Sequence, residues 1–186
     1  MEKKWEFLNF CFQRVKLDLD YMVLLKRSSF FFPSLSVFLL LALVLSSSCS
    51  SKRKISKSSP EFTIIQSAKS YLGTPYLYGG TTRSGIDCSA LVLHSFSSVG
   101  MALPRRSEDQ SEVGKKIKYS KIRPGDVLFF ATGKKKKEVT HAGIVTEVDK
   151  KDVRFIHAST SLGVTQDYLS SNYWNKAFLF ARRFLK

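Results

Sequence analysis

Apolar residues recur at helical spacing in two segments of the first half of the folded region. The segment PEFTIIQSAKSYLG, from Pro60 to Gly73, predicts a helix that starts near residue 61. Its apolar face would contain Phe62, Ile65, Ala68 and Leu72. The segment DCSALVLHSFSSVG predicts a second helix with Asp87 as N-cap and Gly100 as C-cap. The segment RSEDQSEVG predicts a short third helix, capped by Ser107.

The second half of the chain has the character of β-strands. A Pro-Gly turn in IRPGDVLFFA precedes a predicted strand that begins at Asp126. The segments THAGIVTEV and VRFIHAS flank DKKD, a pattern typical of a β-hairpin, and GVTQD and AFLFARRFL predict two more strands. Helices followed by strands predict an α+β domain over residues 61–186, with N-terminal helices packed on an antiparallel sheet.

The N-terminal third has the order of an export signal. Lys26 and Arg27 precede an apolar run over residues 30–45, followed by small residues and Cys49, so residues 22–48 are interpreted as a signal peptide. The alternative is a transmembrane helix, but the run is near the lower length limit and Pro33 interrupts it. Residues 1–21 lie ahead of a complete signal. We interpret them as an upstream extension from a mis-assigned start, with a long charged n-region as the alternative.

The residues before Cys49 resemble a bacterial lipobox, in which the cysteine is acylated and becomes the first mature residue. Ser46 departs from that pattern, because leucine is typical three places before the cysteine. Acyl chains on Cys49 would anchor the protein to a membrane in the cell envelope, and Ser50 favours the outer membrane by analogy. The alternative is secretion without an anchor. Residues 49–60, rich in serine and lysine, predict a flexible basic linker.

The formal net charge of +15 predicts attraction to polyanions. From Cys49 onward there are 24 Lys and Arg residues against 11 Asp and Glu, so the mature part carries the excess. Export argues against nucleic acid and leaves anionic lipid or an acidic polymer as the partner.

Cys88 is the only cysteine in the predicted domain, and it falls in the first turn of the second predicted helix. Exported proteins usually pair their thiols, so a lone cysteine is either buried filler or a reactive group. Exposed N–H groups and the positive end of the helix dipole favour a thiolate there. We therefore expect a lowered pKa, with a buried inert cysteine as the alternative.

A nucleophilic cysteine needs a base, and the chain has three histidines. His94 lies six residues after Cys88, about 240° round the helix, and is predicted to be a packing or surface residue. His141 and His157 lie on the two strands of the predicted hairpin. An odd loop centred on Asp149 would place them directly opposite, with Cβ atoms about 5 Å apart. The alternative is two unrelated strand histidines.

Seven motifs occur in the order found in one family of enzymes. They are GTPYLYGG, GIDCSALV, LPRRSEDQ, RPGDVLFF, THAGIV, FIHAS and YWNKAFLFARRF. Over residues 61–186 the chain thus resembles the NlpC/P60 cysteine peptidases. The resemblance implies a compact papain-like α+β fold and hydrolysis of peptidoglycan stem peptides.

The resemblance also implies roles for individual residues. Cys88 would be the nucleophile, His141 the general base and His157 the polar third member, while the Tyr76 hydroxyl would help to bind the oxyanion. The residues implied in substrate binding are Asp87, Ser89 and Arg105. Asp87 could serve as a helix cap as well, and Arg105 could equally form a structural ion pair.

There are two departures from the family pattern. Arg106 stands where a small hydroxylic residue is common, and the span between the two histidines is about four residues longer than usual. Because the extra length is even, the two side chains are still expected to share a face.

The function implied is that of a D,L-endopeptidase acting through an acyl-enzyme, as a monomer and without a metal or other cofactor. Two alternatives stay open. One is a non-catalytic peptidoglycan-binding lipoprotein, and the other is an amidase or acyltransferase on the same scaffold.

Overall fold

The computed structural model describes residues 55–149 and 152–186. The upstream segment 1–21, the predicted signal peptide 22–48 and Cys49 lie outside the described residues. Of the helices within the described ranges, none has the length and apolar character needed to cross a bilayer.

Three helices precede most of the sheet. Helix α1 is Pro60–Lys69, α2 is Cys88–Ser97 and α3 is Ser107–Gln110. Between α1 and α2, strands β1 (Thr81–Thr82) and β2 (Gly85–Ile86) form a small antiparallel hairpin.

The remaining elements form one six-stranded antiparallel sheet with a late helix. Strand β3 is Lys115–Ile117, followed by a 3₁₀ turn at Tyr119–Lys121, and β4 is Val127–Phe130. Then come β5 (His141–Val148), β6 (Val153–Ser159) and β7 (Gly163–Tyr168). Helix α4 (Asn172–Ala177) leads directly into β8 (Phe178–Arg183), and the strand order is β3-β8-β4-β5-β6-β7. The predicted α+β class is confirmed.

Both faces of the sheet are covered, which explains why all four residues of β4 are buried. On one face, α1 and α2 bury Ile64, Leu91 and Phe96 against sheet residues that include Ile144 and Ile156. On the other face lies a second cluster, with Phe130, Phe155, Trp174 and their neighbours. Side chains alternate between the two clusters along β5, as the period of two requires.

The helix boundaries differ from the predictions in small ways. Helix α1 begins at Pro60, whose ring suits the first helical position, and the Ser59 side chain caps it. It ends at Lys69, short of the predicted Gly73, and Leu72 is 46% exposed and so does not join the core face.

Two predicted helix caps are wrong. Helix α2 ends at Ser97 with Ser98 as its C-cap, whereas Gly100 lies beyond the helix at a φ of 77°. In α3, Ser107 is the first helical residue and Arg106 is the N-cap. The hairpin β1–β2, strand β3 and helix α4 were not predicted, since each is too short to show a period.

The predicted hairpin register is also wrong. Ile144 pairs with Ile156 and Val145 with Phe155, and the register then shifts between Val145 and Glu147. A Cβ built on Gly143 would lie 3.2 Å from the His157 Cβ, so Gly143, and not His141, faces His157. The two histidines are diagonal neighbours on one face, where long side chains can still meet.

Candidate active site

Cys88 opens helix α2 and lines a cleft of about 530 Å³. The chain reaches it from the β1–β2 hairpin through Asp87, whose Oδ1 accepts the Ala90 amide at 2.8 Å and so caps the helix. The thiol is 8% exposed and packs with the helix-facing cluster that also contains Ala142. The N-cap prediction for Asp87 is confirmed.

The expected low pKa of Cys88 is contradicted. Burial, with a smaller contribution from the Asp87 carboxylate, raises the pKa to about 11 in spite of the lowering effect of the Ala142, Ser89 and Cys88 amides. The amides at the helix N-terminus lower the pKa as predicted. Burial of the sulfur away from water destabilises the thiolate by more than these amides stabilise it. Cys88 at rest is therefore a neutral thiol.

The structure brings His141 and His157 together. Nε2 of His141 lies 3.0 Å from Nδ1 of His157, with the rings nearly perpendicular at an interplanar angle of 78°. Both rings are buried, and burial lowers both pKa values, that of His141 to about 3. Thr140, the residue before His141, lines the same cleft as Cys88, and the Ala142 amide lies near enough to the sulfur to lower its pKa.

Two residues that the sequence reasoning missed complete this network. Oδ2 of Asp167 lies 2.9 Å from Nε2 of His157 and accepts the indole N–H of Trp174, also at 2.9 Å. The Trp174 ring stacks on His141 at a centroid distance of 5.4 Å and meets His157 edge-on at 4.6 Å. The Asp167 carboxylate thus holds one end of the imidazole pair, and the Trp174 ring packs against its side.

The pairing of β6 with β7 explains why Asp167 lies close to His157. His157 pairs with Thr165 and Phe155 with Asp167, so Asp167 is a diagonal neighbour of His157 on the same face. The segment GVTQD was predicted as a strand, but its register against β6 cannot be obtained from periodicity alone.

Tyr76 lines the same cleft as Cys88 and forms an isolated bridge with Ile86, two residues before Cys88. Burial raises the pKa of its hydroxyl, and the neighbouring Cys88 and Asp87 raise it further. The hydroxyl is therefore a hydrogen-bond donor close to the thiol. This is the chemistry that oxyanion binding needs, and the role itself stays a prediction.

The three residues predicted to bind substrate form one network. Arg105 donates to both Asp87 oxygens, at 3.0 and 2.7 Å, and to Ser89 Oγ at 2.7 Å. Burial would raise the pKa of Asp87, but the hydrogen bonds from Arg105, the Ala90 amide and Ser89 lower it overall. Asp87 is therefore an anion, and the structural ion pair weighed for Arg105 is present.

Gln110 is a second buried polar residue that sequence reasoning missed. It is fully buried, and its Nε2 donates to the carbonyls of Ser89, at 2.9 Å, and Pro104, at 2.8 Å. It thereby ties the first turn of α2 to the segment that carries Arg105. His94, by contrast, lies at the surface side of α2, stacked on Tyr71, as its spacing from Cys88 predicted.

A buried thiol at a helix N-terminus lines a cleft that Thr140, the residue before His141, also lines, on an α+β domain that carries a hydrogen-bonded imidazole pair. The family model for the NlpC/P60 family matches residues 73–183. The chain belongs to this family.

Similar proteins carry informative names. The chain is 43% identical over 123 residues to "Gamma-DL-glutamyl hydrolase" of Bacillus subtilis, covering 65% of this chain and 29% of that protein. It is 41% identical over 116 residues to "Probable endopeptidase NlpC" of Escherichia coli, covering 62% of this chain and 72% of that protein. A crystal structure of an NlpC/P60 family protein from Bacillus cereus matches with a TM-score of 0.62 and 29% identity, over 68% of this chain and 40% of that one.

The Bacillus subtilis and Bacillus cereus proteins are much longer than the region they share with this chain, which spans 29% and 40% of their lengths. The Escherichia coli protein is matched over most of its length.

Proposed function

We propose that this protein is a cysteine endopeptidase that hydrolyses the stem peptides of peptidoglycan. The observation that carries the proposal is that Cys88 and Thr140 line one open cleft, where Thr140 directly precedes the first member of the hydrogen-bonded pair His141 and His157. The names of the relatives, a γ-DL-glutamyl hydrolase and an NlpC endopeptidase, support this substrate class, and the first favours cleavage of a D,L bond.

In the proposed mechanism, the Cys88 sulfur attacks the scissile carbonyl while His141 takes the thiol proton. Because the resting thiol and imidazole are both neutral, proton transfer accompanies the attack and does not precede substrate binding. His141 uses Nδ1 for this step, since its Nε2 contacts His157. The product is a tetrahedral intermediate bearing an oxyanion, with an imidazolium beside it.

The Cys88 backbone N–H and the Tyr76 hydroxyl then stabilise the oxyanion. The imidazolium returns its proton to the leaving amine as the C–N bond breaks, which leaves a thioester on Cys88. Water, deprotonated by His141, attacks the thioester and releases the acid and the thiol. Each half-reaction returns His141 to its neutral form.

The cationic surface suits this substrate, since stem peptides carry free carboxylates. We further propose that residues 22–48 direct export and that Cys49 is acylated, which would hold the catalytic domain at a membrane of the cell envelope, the outer membrane in our proposal. Residues 49–60 would then act as a basic tether to the domain.

Digestion of purified sacculi by the mature protein, with products identified by mass spectrometry, tests the function. We expect soluble fragments whose masses correspond to cleavage within the stem peptide. Cys88→Ala should abolish their release, and His94→Ala, which changes a surface histidine on the same helix, should leave it intact. Undiminished release by Cys88→Ala would contradict the proposal and favour a binding module contaminated by another enzyme, whereas masses showing amide or acyl transfer would assign a different reaction.

A further inference from the structure

Asp167 occupies a position that the proposed triad does not use. It lies on β7, with its side chain 41% exposed, and Oδ2 is at 2.9 Å from both His157 Nε2 and Trp174 Nε1. The indole N–H can only donate, and an ionised carboxylate can only accept. The carboxylate therefore accepts two hydrogen bonds from the same side of the site.

These donors and acceptors fix the protons of both imidazoles. His157 must carry its proton on Nε2 to donate to Asp167, so its Nδ1 accepts. His141 must then donate from Nε2 to that Nδ1, across 3.0 Å. Both rings are neutral because they are buried, and a neutral imidazole has one donor and one acceptor nitrogen. Nδ1 of His141 is left with a lone pair, as a general base for the Cys88 thiol requires.

We propose that Asp167 is a positioning residue that sets the tautomers of both histidines and balances the positive charge formed when His141 takes the thiol proton. The second part rests on the proposed function, because that charge forms during cleavage. The tautomer assignment holds with or without a substrate. In this chain, the Asp167 carboxylate thus adds a fourth group to the proposed triad of Cys88, His141 and His157.

The charge-balancing role follows from what surrounds the imidazole pair. Asp167 faces it from β7. Helix α4 contributes the indole of Trp174 and β4 the ring of Phe130, neither of which titrates. Among the described residues that contact the pair, Asp167 is the only source of negative charge at rest.

Two substitutions separate charge from geometry. In Asp167→Asn, the amide oxygen can still accept from both His157 and Trp174, so the tautomers should persist while the charge is lost. In Asp167→Ala, the negative charge and the hydrogen bonds that fix the tautomers are both lost. Asp109→Asn, an exposed aspartate on α3, is the matched control for removing one negative charge.

The first readout is the imidazole ¹⁵N spectrum of the mature protein, which reports tautomers without any substrate. We expect His141 and His157 to be protonated at Nε2 in the wild type, in Asp167→Asn and in Asp109→Asn, and to become mixed in Asp167→Ala. Mixed tautomers in the wild type, or unchanged ones in Asp167→Ala, would overturn the assignment even if sacculi are cleaved.

The second readout is kcat for stem-peptide cleavage across pH. Asp167 raises the pKa of His157, so its loss makes the pair harder to protonate. In Asp167→Asn, the acid limb should move to lower pH while kcat falls about tenfold, the equivalent of one pKa unit of lost imidazolium stabilisation. The kcat of Asp167→Ala should fall further.

A fall in kcat with an unmoved acid limb would indicate a merely structural residue and overturn the charge-balancing role, as would an unchanged kcat. Thermal unfolding of each variant checks that the fold is intact. If Asp167→Ala fails to fold, Asp167→Asn still decides the charge role and the wild-type spectrum decides the tautomers. Failure of the wild type to cleave sacculi would refute the proposed function and leave the tautomer result standing.

Discussion

The protonation state of the Cys88 thiol at rest can be measured directly. Burial raises the pKa of this thiol to about 11 from an ordinary 9.0, so at pH 7 its thiolate population is about a hundredfold smaller than that of an unperturbed cysteine. A more basic thiolate is also a better nucleophile, by about eightfold for that difference in pKa. Alkylation at pH 7 should therefore be about tenfold slower than for an ordinary cysteine.

The assay is alkylation by iodoacetamide from pH 5 to 11, followed on the Cys88 peptide by mass spectrometry so that other cysteines do not contribute. The same cysteine in urea-unfolded protein is the internal reference. We expect the native rate to keep rising beyond pH 9, whereas the unfolded reference levels off near its ordinary pKa. The pH midpoint decides the matter, because restricted access lowers the amplitude of the curve and leaves its midpoint in place.

A plateau between pH 5 and 8 would refute this reasoning, since it would show a thiolate–imidazolium pair already formed at rest. His141→Ala gives a second criterion. With a neutral resting pair, this substitution should change alkylation at pH 7 little while it abolishes peptide cleavage. A large loss of alkylation in His141→Ala would indicate the ion pair.

Two further substitutions test the framework around the site. Gly143→Ala would place a Cβ 2.6 Å from the Phe155 ring, so we expect about 1–3 kcal/mol of destabilisation, measured by urea unfolding, and no loss would mean that β5 yields freely. Arg183→Met removes the partner of the buried Asp126 carboxylate, to which Arg183 Nε donates at 2.7 Å. We expect about 3 kcal/mol of destabilisation in the same assay, and a change under 1 kcal/mol would show that the carboxylate reaches water.

Much of the fold could be predicted from sequence because its main elements are long enough to show a period. The apolar spacing before Gly73 and the alternation around the hairpin both reflect burial of one face. The errors came from contacts that no local pattern records. Thr146 lies where the β5–β6 register shifts, and its hydroxyl is within hydrogen-bonding distance of the Arg154 carbonyl and of Gln166 on β7, partners that become neighbours only in the folded sheet.

The proximity of the two imidazoles was partly predictable in spite of the register error. Side chains alternate along a strand, so an error of two residues in the pairing of β5 with β6 keeps His141 and His157 on the same face. Asp167 could not be found in this way, because it required the register of a third strand. The prediction of a low pKa for Cys88 was wrong for a different reason. The helix N-terminus is visible in the sequence, but the depth at which the thiol is buried is not.

Asp87 is the helix cap that was predicted, and its role in substrate binding stays a prediction that the cap does not exclude. Its Oδ1 caps α2 through the Ala90 amide, and its two oxygens accept two hydrogen bonds from Arg105. Arg105 is 39% exposed against 10% for Asp87, so the guanidinium, and not the carboxylate, is the part of the pair that can move. A substrate ammonium group could then share or replace the guanidinium without uncapping α2.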